Sequence, residues 1–153
     1  LVPTRDDDAS LSGVELLGLR YLRARQSGSS IQLLGVVLFD TNPRATARNR
    51  EVFEQVNDLL EGSGADPFEA FVRSDRAAAV DLRTRHLTPL ELVEAAESDQ
   101  KSRLQRLRQK GKAGERLWSR DPSGLAHDYQ ALTREILTRV ADAEREQVGG
   151  GVG

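Results

Sequence analysis

Three groups of side chains in this sequence are of types that do chemistry: the run Asp6-Asp7-Asp8, the histidines His86 and His127, and a basic stretch from Lys101 to Arg120. Adjacent carboxylates suit a metal or acid site, histidines suit metal ligation or proton transfer, and clustered cations suit a polyanion. The histidines stand far apart and lack carboxylate or cysteine partners at ligand spacing, which reads as two surface or helix-end residues. The aspartates precede a helix, where they read as a solvated loop that favours the helix dipole. No G-x-x-x-x-G-K-[ST], G-x-G-x-x-G or G-x-S-x-G occurs in the chain. With no cysteine there is no disulfide framework, thiolate zinc site or cysteine nucleophile. Neither a metal site nor a catalytic constellation is expected within these residues.

The 153 residues are one domain's worth of chain, enough to bury a core. Hydrophobic residues at 38% and charged residues at 30% mark a globular protein on the polar side. A net charge of −2 conceals an acidic start and a basic Lys101–Arg120 stretch, so an anionic partner would meet a local patch. No apolar run approaches the ~18 residues of a membrane span, and no signal-peptide pattern occurs, so a cytoplasmic protein without membrane attachment is expected.

The elements that must position any site follow from periodicity. Leu1 to Thr4 reads as the tail of a buried strand. Ser12-Gly13-Val14-Glu15 has the form of a capping box, predicting a helix from Gly13 to Gln26 with Val14, Leu17, Tyr21 and Leu22 on one face. The apolar, β-branched run Ile31 to Phe39 predicts a strand covered on both faces, as in a parallel sheet. Asp40-Thr41-Asn42-Pro43 predicts a turn, followed by a helix whose face carries Val52, Phe53, Val56, Leu59 and Leu60. Phe68 to Val72 predicts a second buried strand. Ser74 is expected to cap a short helix through Leu82, and Thr88-Pro89 to start another that carries Leu90, Val93, Leu104 and Leu107. Leu125, Tyr129, Leu132, Ile136 and Val140 repeat as the stripe of a terminal amphipathic helix, and residues 147–153 read as a flexible tail. The fold class is therefore α/β, the second half of an open, mostly parallel sheet with flanking helices. Its first strand is expected to present an exposed edge that calls for neighbours.

Three segments resemble ParA-type partition ATPases, relatives of MinD in the deviant Walker A class of P-loop proteins. "LVPTRDDDASLSGVELL" is similar to the segment after a late sheet strand, "IQLLGVVLFDTNPRA" to the next strand and its turn, and "SGLAHDYQALTREILTRV" to the closing helix. The resemblance implies that residues 1–146 are the C-terminal half of a P-loop NTPase-like domain. The P-loop, the Mg²⁺ ligands and the water-activating carboxylate would then lie upstream of Leu1, and ATP and Mg²⁺ would be cofactors of the parent protein only. It further implies an adenine-side wall built by Asp40, Thr41 and Asn42 after one strand, and by Arg73 and Asp75 after the next. Non-specific DNA contacts would fall on Arg44 and Arg76, with Arg103, Arg106 and Lys110 adding to them. An ATP-dependent homodimer on nucleoid DNA with a ParB-type partner is the implied assembly.

Two rivals are kept. A MinD-like membrane protein is disfavoured because "EREQVGGGVG" has no apolar face to insert. A non-enzymatic α/β interaction module, or a paralogue that no longer binds nucleotide, would use the basic 101–120 patch for an acidic partner. Arg73, standing where the family usually has a proline, fits the paralogue.

Overall fold

A computed structural model of the chain describes residues 1–109 and 116–149, the side chains of 103–109 and 147–149 excepted. The elements in order are β1 (Val2–Thr4), α1 (Asp8–Gln26), β2 (Val36–Thr41), α2 (Thr46–Leu59), β3 (Val72–Arg73), α3 (Arg76–Arg85), α4 (Pro89–Gln109) and α5 (Ser123–Gly149). The chain is α/β, with a three-stranded sheet in the order β1-β2-β3 whose strand pairs are both parallel. It divides into two compact units: Leu1–Arg73 with the chain from Gln130 onward, and Ser74–Tyr129.

The first unit is a β-α-β-α-β unit with the later part of α5. Val14 of α1, Val36 of β2, and Val52, Val56 and Leu60 at α2 form one buried cluster, joined by the partly buried Val2, Leu11, Leu33, Leu38 and Leu59. Each such buried side chain is worth about 1.5–3 kcal/mol against its exposed state. On α1 the inward line passes through Gly18 rather than the predicted Leu17, which is exposed. A Cβ at Gly18 would lie 3.5 Å from the Leu59 carbonyl oxygen, an ordinary van der Waals distance, so α2 lies close here without the position demanding glycine. Phe53 likewise leaves the buried line and is 38% exposed.

Several boundaries move for identifiable reasons. Helix α1 starts at Asp8 instead of Gly13 because Asp7 caps it, its carboxylate accepting from the Ser10 N–H at 2.8 Å and from the Ser10 hydroxyl at 2.9 Å. Ser12 and Glu15 lie inside the helix. The acidic run is thus partly a cap, and the reciprocal capping box occurs instead at Thr88 and Glu91. There Glu91 Oε2 accepts from Thr88 N–H at 2.7 Å, and Thr88 Oγ1 accepts from Glu91 N–H at 3.3 Å.

Strand β2 begins at Val36, not Ile31, because Gly35 has φ +139° and the ladder starts where Val2 N–H meets the Gly35 carbonyl at 3.0 Å. Ile31 is left 64% exposed. The same strand runs on through Asp40 and Thr41, where a turn was expected, and the turn starts at Asn42. Strand β3 shrinks to two residues. Just before its expected start an isolated bridge pairs Pro67 with Val36, Phe68 N–H donating to the Val36 carbonyl at 2.8 Å, and the next N–H groups, of Glu69 and Ala70, donate to the Glu135 carboxylate at 3.1 and 2.9 Å. A side chain has taken the place of a ladder.

The edge of β1 differs from a sticky one. Val2 N–H points at β2, so alternation along the strand turns Pro3 outward, where its missing donor costs the ladder nothing and leaves only a carbonyl to the outside.

Arg139 of α5 joins three segments of the first unit. Its Nη1 donates to the carbonyls of Leu34 and Asp66, each at 2.8 Å, and its Nη2 to the Pro67 carbonyl and Glu135 Oε1, each at 2.7 Å. The guanidinium lies 3.9 Å from the centroid of the buried Phe68 ring. Gly35 leaves room for it: a Cβ there would meet the Asp66 carbonyl oxygen at 2.3 Å and Arg139 Nη1 at 2.5 Å.

In the second unit α3 packs on α4. Asp75, not Ser74, caps α3 by accepting from Ala78 N–H at 2.9 Å, and α3 runs past Leu82 to Arg85, where His86 ends it in a left-handed conformation. On α4, Leu92 and Ala96 are the buried positions while the expected Leu90 is exposed, and Leu104 and Leu107 have side chains outside the described residues. Proline 89 stands at the first helical position as expected.

Replacing Arg139 by alanine should lower the stability to urea unfolding by about 3 kcal/mol, because three carbonyls and a carboxylate lose a charged donor together. Gly35→Ala should cost at least as much through its positive φ and its clash with backbone. An Arg139→Ala variant within about 0.5 kcal/mol of the parent would show the clasp to be decorative.

Candidate functional site at the carboxyl edge of the sheet

Parallel strands place their carboxyl ends on one edge, and in open α/β sheets ligands bind in the crevice outside that edge. Here the edge is formed by Thr4 and Arg5 after β1, Asp40 and Thr41 at the end of β2 with Asn42 beyond, and Arg73 at the end of β3. Register pairs Thr4 with Leu38, Phe39 with Val72 and Thr41 with Arg73. Two steps along β2 answer one along β3, so Asp40 is the extra residue of a bulge. It has φ +57°, a left-handed conformation that aspartate tolerates better than most residues. The bulge brings its carboxylate across to β1, where Arg5 Nη2 pairs with Asp40 Oδ2 at 3.0 Å. Both side chains are substantially exposed, so this pair orients the edge more than it stabilises it.

The first turns of α2 hold the loops. Thr41 is buried, and its hydroxyl donates to Asn49 Oδ1 at 2.7 Å. Asn49 Nδ2 donates to the Asn42 carbonyl at 3.0 Å. Asn42 Oδ1 in turn accepts from Arg44 N–H at 3.0 Å, closing an Asx turn that leaves the side-chain amide donors facing away from that bond. Arg48 Nη2 reaches the Asp6 carbonyl at 2.9 Å, linking α2 to the loop after β1. Asp7, in that same loop, has its carboxyl held below the usual carboxylate range by the Ser10 N–H and then the Ser10 hydroxyl. What the edge offers a ligand is a fixed backbone, an exposed amide at Asn42, an exposed ion pair and the half-exposed Arg73. Among the described residues no three histidine, cysteine or acidic side chains group as they would to hold a metal ion.

Of the residues the resemblance nominated for nucleotide, Asp40, Thr41, Asn42 and Arg73 fall on neighbouring strand ends within one unit. Thr41 acts through Asn49 rather than by exposure. Asp75 belongs to the second unit, where its carboxylate caps α3. Of the proposed DNA contacts, Arg44 is exposed in the turn after β2, and Arg76 is exposed as the first residue of α3. Arg103 and Arg106 lie on α4 with side chains outside the described residues, and Lys110 lies outside the described residues altogether. His86 and His127 are both exposed, one ending α3 and one on α5. Among the described residues no helix is long and apolar enough to cross a membrane.

Arg5, Arg48 and Asn49 were not singled out by sequence reasoning. Only Asn49 carried a signal, since asparagine is a poor helix former whose side chain competes for backbone groups.

Comparison with known protein families, curated proteins and solved structures returns no match to this chain.

Asn49→Ala should cost about 1–2 kcal/mol, since it strips the buried Thr41 hydroxyl of its acceptor and the Asn42 carbonyl of a donor. In a Thr41→Val background the same change should cost distinctly less, which urea titration of the double-mutant cycle will show. Because the folded pKa of Asp7 is lowered, its contribution is complete above the ordinary value of 3.8 and is lost as pH falls below it. The thermal stability gap between the parent and Asp7→Ala should therefore narrow on acidification from pH ~7 to ~3. A pH-independent gap would remove the cap's carboxylate from the account.

Proposed function

We propose that this chain supplies the adenine-side wall of the nucleotide site, and a DNA-binding surface without sequence preference, in a ParA-like partition ATPase. The observation that carries the reading is the parallel β1-β2-β3 edge, at which Asp40, Thr41, Asn42 and Arg73 occupy adjacent strand ends. A purine base needs a flat, rigid wall with a few amide or backbone groups at its rim, and the Asn49 lock fixes the Thr41–Asn42 backbone in that role. The parallel β-α-β-α-β order supports the reading as one mononucleotide-binding half, a unit that needs a phosphate-binding loop to complete its site. Residues 1–153 contain no P-loop, so the phosphates and Mg²⁺ would be held by sequence outside them.

Arg44 stands immediately after the Asn42 turn, at the sheet edge where a bound nucleotide would order the loop. Its guanidinium is exposed and makes no ion pair among the described residues, which suits phosphate neutralisation. Arg76 is the second contact. The reading carries an ATP-dependent homodimer, a ParB-type partner and a place on the nucleoid.

The test is DNA binding by the product of the whole reading frame that contains these residues, with and without ATP, across a salt titration. Binding should require ATP and fall steeply with salt, and Arg44→Ala should weaken it on every duplex sequence while reducing the salt slope by about one. Binding that ignores ATP would overturn the partition reading.

A further inference from the structure

The segment 116–122 closes the basic stretch and leads into α5. Its exposure alternates: Arg116, Trp118 and Arg120 face solvent, while Leu117 and Ser119 are buried. Trp118, the sole tryptophan of the chain, is 74% exposed, the highest value among the large apolar side chains left in solvent.

This is not a loose loop with a stray ring. Ser119 N–H donates at 2.7 Å to Oδ2 of Asp81, a carboxylate on α3 that is only 1% exposed. Leu117 is buried on the near side and Pro122 on the far side, and the Asp121 carboxylate accepts from the N–H and hydroxyl of Ser123 at the start of α5. Those bonds hold the Asp121 carboxyl below its usual range, the hydroxyl contributing most. The acid next to Arg120 is thereby occupied by the helix start, and neither Arg116 nor Arg120 is ion-paired among the described residues. A backbone anchored at Ser119 presents an aromatic side chain between two exposed guanidinium groups that make no ion pair among the described residues. Preorganisation of this kind reduces the ordering cost of binding.

The charge of the sequence that leads to it selects the partner. Lys101 to Arg120 carries eight cations and the single acid Glu115. A polyanion is the complementary ligand, and the exposed indole adds a demand that the polyanion have flat π-faces to stack. Duplexes hide those faces in the stack, whereas single strands splay them. We propose that Arg116, Trp118 and Arg120 form a stacking site for single-stranded nucleic acid, with Trp118 taking a base and the two arginines the flanking phosphates. The site lies in the second unit and does not depend on the nucleotide reading.

The sole tryptophan makes the test direct. The full chain, without nucleotide, is titrated with oligo(dT), with a duplex of equal length, with inorganic polyphosphate, with a poly-glutamate peptide and with anionic phospholipid vesicles, following tryptophan emission. Affinities of variants are read from the anisotropy of labelled oligo(dT). Oligo(dT) should quench the emission, and polyphosphate should not. Trp118→Ala should weaken oligo(dT) binding roughly tenfold while Trp118→Phe keeps most of it. Arg116→Gln and Arg120→Gln should each lower the salt slope by about 0.7.

Circular dichroism of each variant checks the fold, which these exposed side chains should leave intact. Equal affinity of the Trp118→Ala variant and the parent would overturn the proposal in favour of charge alone, as would equal quenching by duplex. A larger emission change with poly-glutamate or with vesicles than with oligo(dT) would overturn it in favour of a protein or a membrane surface.

Discussion

The first unit depends on one partly buried cation. Arg139 directs four hydrogen bonds into carbonyls that precede β2 and β3 and into Glu135, whose own carboxylate accepts the N–H groups of Glu69 and Ala70. These backbone groups lie outside the strand ladders, beside the isolated Pro67–Val36 bridge, and the clasp supplies them with partners. A guanidinium suits the task because its planar fork serves several acceptors at once and its face still rests on Phe68. Gly35 is the complement of that choice, since no other residue leaves the clasp its space.

The clasp also explains why β3 is short. By engaging Glu69 and Ala70, Glu135 withdraws from β3 the donors that would have extended its ladder toward Phe68. What remains paired is the carboxyl end of the sheet. There a second polar lock, Thr41 to Asn49 to Asn42, fixes the loop, and a bulge at Asp40 re-aims one carboxylate. The two ends are therefore held by different means: a charged side chain of α5 at one, and an amide of α2 at the other.

Much of this order was legible locally. The apolar run around Val36 to Phe39, the Val52, Val56 and Leu60 repeat and the Thr88-Pro89 start all follow from period and propensity, and each appears where expected within a few residues. The failures share a cause. Asp7 displaced Ser12 as the cap of α1 because two good capping sites competed within six residues, and only the helix's full length decides between them. Leu90 yielded to Leu92 because periodicity gives a helix's apolar spacing but not which neighbour it meets. Arg139, Glu135 and Asn49 act over separations of 105, 65 and 8 residues, and a single sequence carries no trace of such pairings in its hydropathy. At the candidate site, Asp40 to Asn42 were visible as a polar break after an apolar run. The residues that rigidify them were not.

Pro3 has a bearing on what can be built beside this sheet. With its ring turned outward, β1 offers a neighbouring chain an acceptor but no donor at its central position. A strand laid there in either direction would be one rung short, and a second copy of the chain would meet the same gap in itself. At this edge, growth by strand addition, the usual route from an open sheet to a fibre, meets that gap at its first step.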